Sequence, residues 1–204
     1  MYRLISLLIG YFIGCISMGF IVGKLTKTDL RQKGSGNLGT TNALRVLGFR
    51  AGLATFLGDI LKGVVAFFLC RAIFSDFGFM AGVYAGVGTI LGHDFPFYLK
   101  FKGGKGIAST IGFVLSLAFV FSPFFAVVTI GVGILGVLFS RFISVGSILF
   151  SISIPISAFF LGMPIEGVGL FTALAILAIW RHRENIKRLK SGTENKFTLH
   201  KSVQ

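Results

Sequence analysis

Apolar positions along this chain fall in long uncharged runs, separated by short polar segments rich in Lys and Arg. Residues 4–23 form the first run. At ~1.5 Å per residue it is long enough to cross ~30 Å of hydrocarbon. The second run, 51–74, carries Asp59 and Lys62, and the third, 79–92, is short and rich in glycine. The last two, 107–139 and 147–179, each overshoot one crossing by ~20 Å. Pro123 follows Ser122 in the middle of one, and Gly162-Met163-Pro164 with Glu166 interrupts the other. Proline removes a backbone donor and breaks a helix, so each run is expected to fold as a hairpin of two short helices. The pattern therefore predicts an all-α fold, a polytopic integral membrane helix bundle with about seven transmembrane helices. Five spans, two of them strongly tilted, is the alternative. Residues 1–23 also suit a secretory signal, but no A-x-A-like site follows and further spans do, so they are expected to stay as the first helix.

Composition agrees with lipid as the solvent: 54% of the 204 residues are apolar and 13% charged, against about a quarter charged in soluble domains. A single membrane domain, 1–204, is expected. Cys15 and Cys70 lie inside apolar runs at a spacing that fits neither zinc nor redox chemistry.

The formal net charge of +13 points to anionic partners. Nucleic acid is disfavoured, because the basic residues sit in short loops between apolar runs. With seven spans and the N-terminus outside, Arg3 and Arg71 face outward and Lys62 lies in the membrane. Every other Lys and Arg then falls on the inner side, as the positive-inside rule requires. That orientation puts loops 24–50, 93–106 and 140–146 and the tail 181–204 together on the cytoplasmic face.

Those loops carry residues suited to phosphate. The first reads Gly34-Ser35-Gly36-Asn37-Leu38-Gly39-Thr40-Thr41-Asn42, then Arg45. Glycines permit close backbone approach, Ser, Thr and Asn add donors, and Arg offers a planar fork. A turn leading into a capped helix is the plainer reading. The second ends Lys102-Gly103-Gly104-Lys105-Gly106 directly before a helix, where amides at an N-terminus attract anions. A basic loop lying on anionic headgroups is its plainer reading. His93 and Asp94 open that loop. Asp59 and Lys62, three apart, read as a structural pair bracing the bundle. Arg141, Ser144 and Ser147 make a polar island. In the tail, His182 and Asn185 share a helix face behind Trp180.

Taken in order, these segments resemble the bacterial acyl-phosphate:glycerol-3-phosphate acyltransferases, the PlsY family. The matching residues are Gly34-Ser35-Gly36-Asn37 with Thr41-Asn42 and Arg45; Gly58-Asp59 with Lys62-Gly63; Gly92-His93 through Pro96 to Gly103-Gly104-Lys105-Gly106; and His182-Arg183 with Asn185, Ile186 and Arg188, on to Gly192 and Glu194. The resemblance implies transfer of a fatty acyl group from acyl phosphate to the sn-1 hydroxyl of glycerol 3-phosphate, giving lysophosphatidic acid and phosphate for phospholipid synthesis. The H-x-x-x-x-D signature of other glycerol-phosphate acyltransferases is absent: no His has an Asp five residues later.

The resemblance implies an enzyme of the bacterial inner membrane, with its active site facing the cytoplasm and membrane lipids as neighbours. Acyl phosphate is already activated, so holding two phosphates, aligning a hydroxyl and managing one proton suffice, with no metal and no cofactor. The acyl chain would lie in an apolar groove between helices. Ser35, Arg45, Lys105, His182 and Asn185 are the expected catalytic residues. Gly34, Gly36, Asn37, Thr41, Asn42, His93, Gly103, Gly104, Ser144 and Arg188 are expected to bind substrate. Lys105 with the amides of Gly103 and Gly104 would hold one phosphate. Ser35, Arg45 and Ser144 would hold the other or polarise the carbonyl. His182 or the substrate's own phosphate would take the proton. A transporter for a small organic phosphate is the rival reading, but no inverted repeat with matching midplane polar residues supports it.

The topology is testable. Cysteine placed at residue 143 should be labelled from the cytoplasmic side, and cysteine at 122 or 163 from outside. Labelling of residue 143 from outside would favour five spans.

Overall fold

The structure, a computed structural model, describes residues 1–197. The end at 197–204, unmatched by the family segments and expected from sequence to be a disordered tail, lies outside the described residues apart from Phe197. Two compact units form, one over Met1–Val120 and the other from Phe121 onward. Among the described residues all regular structure is helical.

In the first unit, residues 4–23 do not make one helix. Helix α1 (Tyr2–Cys15) stops, Ile16 and Ser17 turn extended, and α2 (Met18–Leu25) begins under a Ser17 cap that accepts from Phe20 N–H. No proline or glycine signals this break in the sequence. Its cause lies across the unit: the buried Lys62 ammonium donates to the Gly14 and Ile16 carbonyls at 3.0 and 3.1 Å. The Tyr98 hydroxyl donates to the Cys15 carbonyl at 2.8 Å. Carbonyls freed by the break are thereby satisfied, as backbone groups in an apolar setting must be.

The chain continues through α3 (Thr40–Leu47), α4 (Phe49–Ile73), α5 (Gly78–Asp94) and α6 (Ile107–Val120). Helices α1 and α5 touch backbone to backbone. A Cβ added at Gly10, Gly14, Gly88 or Gly92 would overlap a carbonyl oxygen of the facing helix, those of Ala85, Thr89, Leu7 and Tyr11 respectively. Helices α4 and α6 meet the same way through Gly63 and Gly112. Small residues at such crossings are how helices associate in lipid, where no hydrophobic force separates helix from solvent. Under the two polar loops lies a small core of Leu30, Leu38, Ala43 and Leu99.

The second unit stacks α7 (Pro123–Ser140), α8 (Ile143–Phe160) and α9 (Ile165–Arg181) in sequence, with α10 (Arg183–Lys190) bent 52° from α9 at His182. The expected helix running on from the last span is therefore broken. The chain breaks within both long apolar runs, as expected: α7 starts with Pro123 at its first turn, and Pro164 stands at the N-cap of α9. The expected loop 140–146 is cut short, since α8 begins at Ile143 and holds Ser144 in its first turn, with Ser147 in the next.

By length and composition, Tyr2–Leu25, Phe49–Ile73, Pro123–Ser140 and Ile143–Phe160 can each cross a membrane, and Ile165–Arg181 with Arg183–Lys190 makes a fifth if the bent pair is one span. Helix α6, apolar but ~21 Å long, falls short of a ~30 Å core.

Gly14→Val should disrupt the first unit. Its side chain would meet the Thr89 backbone, which cannot swing aside as a side chain would. The cost should reach the upper end of the ~1–3 kcal/mol typical of overpacking. It should appear as a lowered Tm and yield in detergent, while Gly131→Val, with open space around its Cβ, should change little.

Candidate functional site

In the first unit, loop 33–39 is built on Asn42. Its side-chain N–H groups donate to the Leu30, Lys33 and Asn37 carbonyls at 2.9–3.1 Å, and its Oδ1 accepts from Ser35 N–H at 2.8 Å. Asn37 Oδ1 accepts from Gly39 N–H. Asn42 and Asn37, expected to bind substrate, are thus the frame of the loop, and Asn42 is 2% exposed. Gly34 and Gly36 take φ of +61° and +71°, and a Cβ at Gly34 would strike Asn42 Oδ1. They serve the turn. Thr41 is half-buried in the first turn of α3. Ser35 and Arg45 remain exposed, with no side-chain hydrogen bond or ion pair among the described residues. Ser35 is pinned through its amide to Asn42 of α3, the helix that carries Arg45.

The second loop corrects two expectations. His93 does not open the loop; it lies in the last turn of α5 and is 3% exposed. The amides of Gly103 and Gly104, expected to cradle a phosphate, donate to the Asp94 and His93 carbonyls at 3.1 Å each. They cap the carbonyls that the end of α5 leaves unpaired. Lys105 follows, half-buried, then Gly106 at φ +72°, then α6. The amides left to attract an anion are those of the first turn of α6, from Ile107 on.

Asp59 and Lys62 form the expected pair, at 2.8 Å and nearly inaccessible. Sequence reasoning missed the third member, His93, whose Nδ1 lies 2.7 Å from Lys62 Nζ and 3.4 Å from Asp59 Oδ1. A buried ammonium one helix away was the available signal, but sequence spacing does not reveal which helix it faces.

In the second unit, Glu194 is the hub. Ser144 Oγ and Asn185 Nδ2 donate to its Oε1 at 2.9 and 2.6 Å, and Arg188 Nε to its Oε2 at 2.7 Å. Three residues expected to meet substrate are therefore fixed by an internal carboxylate to which no role was assigned. Burial opposes ionisation of Glu194, but the hydrogen bonds from Asn185, Arg188 and Ser144 outweigh it and hold its pKa below the ordinary value. His182, 3% exposed at the α9–α10 break, places Nδ1 2.8 Å from the Ala178 carbonyl. A carbonyl only accepts, so Nδ1 carries the proton and Nε2 is the basic nitrogen.

The chain was compared with known proteins. A family model described as glycerol-3-phosphate acyltransferase matches residues 4–192. A protein of that name from Alkaliphilus metalliredigens is 44% identical over all of both chains. Another from Shouchella clausii is 41% identical over 94% of each. The crystal structure of PlsY, an integral membrane glycerol 3-phosphate acyltransferase, in its glycerol 3-phosphate form superposes with a TM-score of 0.87 at 34% identity, covering 97% of this chain and 96% of that one. The lysophosphatidic acid form gives 0.81 at 33% identity.

A folded pKa below the unfolded one means that Glu194 contributes stability present above the ordinary carboxylate range and lost as pH falls through the lower folded value. Glu194→Gln should thus be less stable than the wild type at neutral pH, with the gap in Tm closing as the medium is acidified below that range. Glu194→Ala should lose more, about 1–3 kcal/mol, because three donors lose their acceptor.

Proposed function

The chain belongs to the glycerol-3-phosphate acyltransferase family, and from that premise we propose that its donor is acyl phosphate and its acceptor oxygen the sn-1 hydroxyl. The observation that carries the reading is the setting of Ser35 and Arg45. A hydroxyl and a guanidinium stand exposed on a rigid frame with no acidic side chain paired to them among the described residues. Donors so arranged suit an anion, and acyl phosphate brings its own leaving group.

In this mechanism the glycerol oxygen attacks the acyl carbonyl carbon. The bond from that carbon to the phosphate oxygen breaks, and inorganic phosphate leaves with the electron pair. The hydroxyl proton passes to His182 Nε2 or to the substrate's own phosphate. Lys105 and the first turn of α6 bind one phosphate; Ser35 and Arg45 bind the other or polarise the carbonyl. Asn185, fixed by Glu194, orients glycerol 3-phosphate. The distribution of Lys and Arg supports a bacterial plasma-membrane protein of about seven spans, its N-terminus outside and these loops cytoplasmic.

Purified protein should convert acyl phosphate and labelled glycerol 3-phosphate to lysophosphatidate in the presence of chelator; strict use of acyl-CoA would overturn the donor. In the same assay, Lys105→Ala should lower kcat/KM at least ~10²-fold, as for a charge-assisted contact worth roughly 2–3 kcal/mol. Lys105→Arg should restore only part of it. Lys190→Ala, an exposed tail lysine, should change little, because salt screens what it adds. Equal small effects at Lys105 and Lys190, both fading with salt, would leave only a sticky basic surface.

A further inference from the structure

Three titratable side chains lie inside the first unit, where charge is costly: Asp59, Lys62 and His93, at 0%, 6% and 3% exposure. Bracing the helices explains part of this cluster. Lys62 binds the Gly14 and Ile16 carbonyls and so holds the α1–α2 break. It does not explain why the ammonium also meets His93 Nδ1 at 2.7 Å. His93 belongs to two networks at once. Its ring nitrogen Nδ1 faces the Lys62–Asp59 pair. Its backbone carbonyl accepts from Gly104 N–H, and a Cβ on Gly104 would fall on the far ring nitrogen, Nε2. The imidazole thus fills the space under Gly104 that a side chain there would need. Gly103 is pressed on the same turn, its missing Cβ against the His93 carbonyl. Lys105 is the next residue after these two glycines.

We propose that Asp59, Lys62 and His93 are positioning residues for the 102–106 loop: Lys62 fixes the imidazole, and the ring and carbonyl of His93 seat Gly104 and so set where Lys105 meets a phosphate. His93 on this account touches no substrate. With Nδ1 set against the Lys62–Asp59 pair, the ring turns its Nε2 edge toward the loop. The Asp59 carboxylate lies 2.8 Å from the Lys62 ammonium and pairs with it within the bundle. A phosphate site needs its cation held to within a fraction of an ångström, and a glycine-rich loop does not hold itself. The inference rests on the reading of Lys105 as a phosphate ligand.

The experiment compares substrate dependence in full-length protein. Lys105→Ala identifies, by the KM it raises, which of the two phosphate substrates the loop holds. His93→Ala should raise the KM for that same substrate ~10-fold or more, as for loss of a charge-assisted contact, with kcat and the other KM changing far less. His93→Asn, which keeps a hydrogen-bonding group near the Nδ1 position, should recover part of the loss. Gly104→Ala should be severely impaired, and Gly104→Ala with His93→Ala less impaired than Gly104→Ala alone, since removing the ring makes room for the methyl. The double variant Asp59→Asn/Lys62→Met leaves no unpaired charge and should reproduce the His93→Ala pattern. Additive effects of Gly104→Ala and His93→Ala, or a fall in kcat with both KM values unchanged, would overturn the proposal. Equilibrium binding of inorganic phosphate to the same variants needs no acyl donor. If the wild type does not use acyl phosphate, the donor reading fails, while the His93–Gly104 coupling is still decided by that binding.

Discussion

A buried ammonium organises the first unit. Lys62 cannot be left bare in an apolar bundle, and the chain supplies it with two carbonyls, a carboxylate and an imidazole nitrogen at 2.7–3.1 Å. Each partner imposes something elsewhere. The carbonyls exist because the first span breaks at Ile16–Ser17. The imidazole ends α5, where the glycine loop folds back to cap it. One charge thus links the entry of the chain, the long helix α4 and the loop before α6.

The second unit uses the opposite charge to similar effect. Glu194 gathers Ser144 from the start of α8 with Asn185 and Arg188 from α10, and it stays ionised because those three donors surround it. In the second unit the polar groups assigned to the proposed chemistry are held by other protein groups. That is what preorganisation requires: donors fixed before substrate arrives need no rearrangement when charge develops. The α9–α10 break does the same for His182, whose tautomer is set by the Ala178 carbonyl rather than by a ligand.

Much of the fold was legible because proline and length are local signals. Pro123 and Pro164 both stand at helix starts, where the apolar runs became too long for one crossing, although Pro155 sits inside α8 without ending it. The break at Ile16–Ser17 was not legible, since its cause is a lysine 46 residues away from Ile16. The loops were legible as composition but not as wiring. Gly103-Gly104-Lys105-Gly106 reads as an anion cradle, yet two of its amides cap α5. Asn42 reads as a donor for substrate, yet it holds its own loop together. Amino-acid types suited to binding phosphate are equally suited to satisfying a loop's own backbone, and only the partners separate the two uses. Glu194 was visible in the matching segment, but nothing in its neighbours in sequence announced a link to Ser144, 50 residues earlier.

The glycine contacts of the first unit bear on the greasy half of the donor. Helices α1 and α5, and α4 and α6, approach until a single added carbon on either side would overlap a carbonyl oxygen. A methylene chain is wider than such a gap, so a fatty tail cannot thread between the members of either pair. Those two seams are closed to lipid where these glycines meet. Within this unit, an acyl chain bound beside the polar loops would have to run over other surfaces. Tail length would then be gauged by how membrane and protein share the chain, and not by the depth of a slot cut through these pairs.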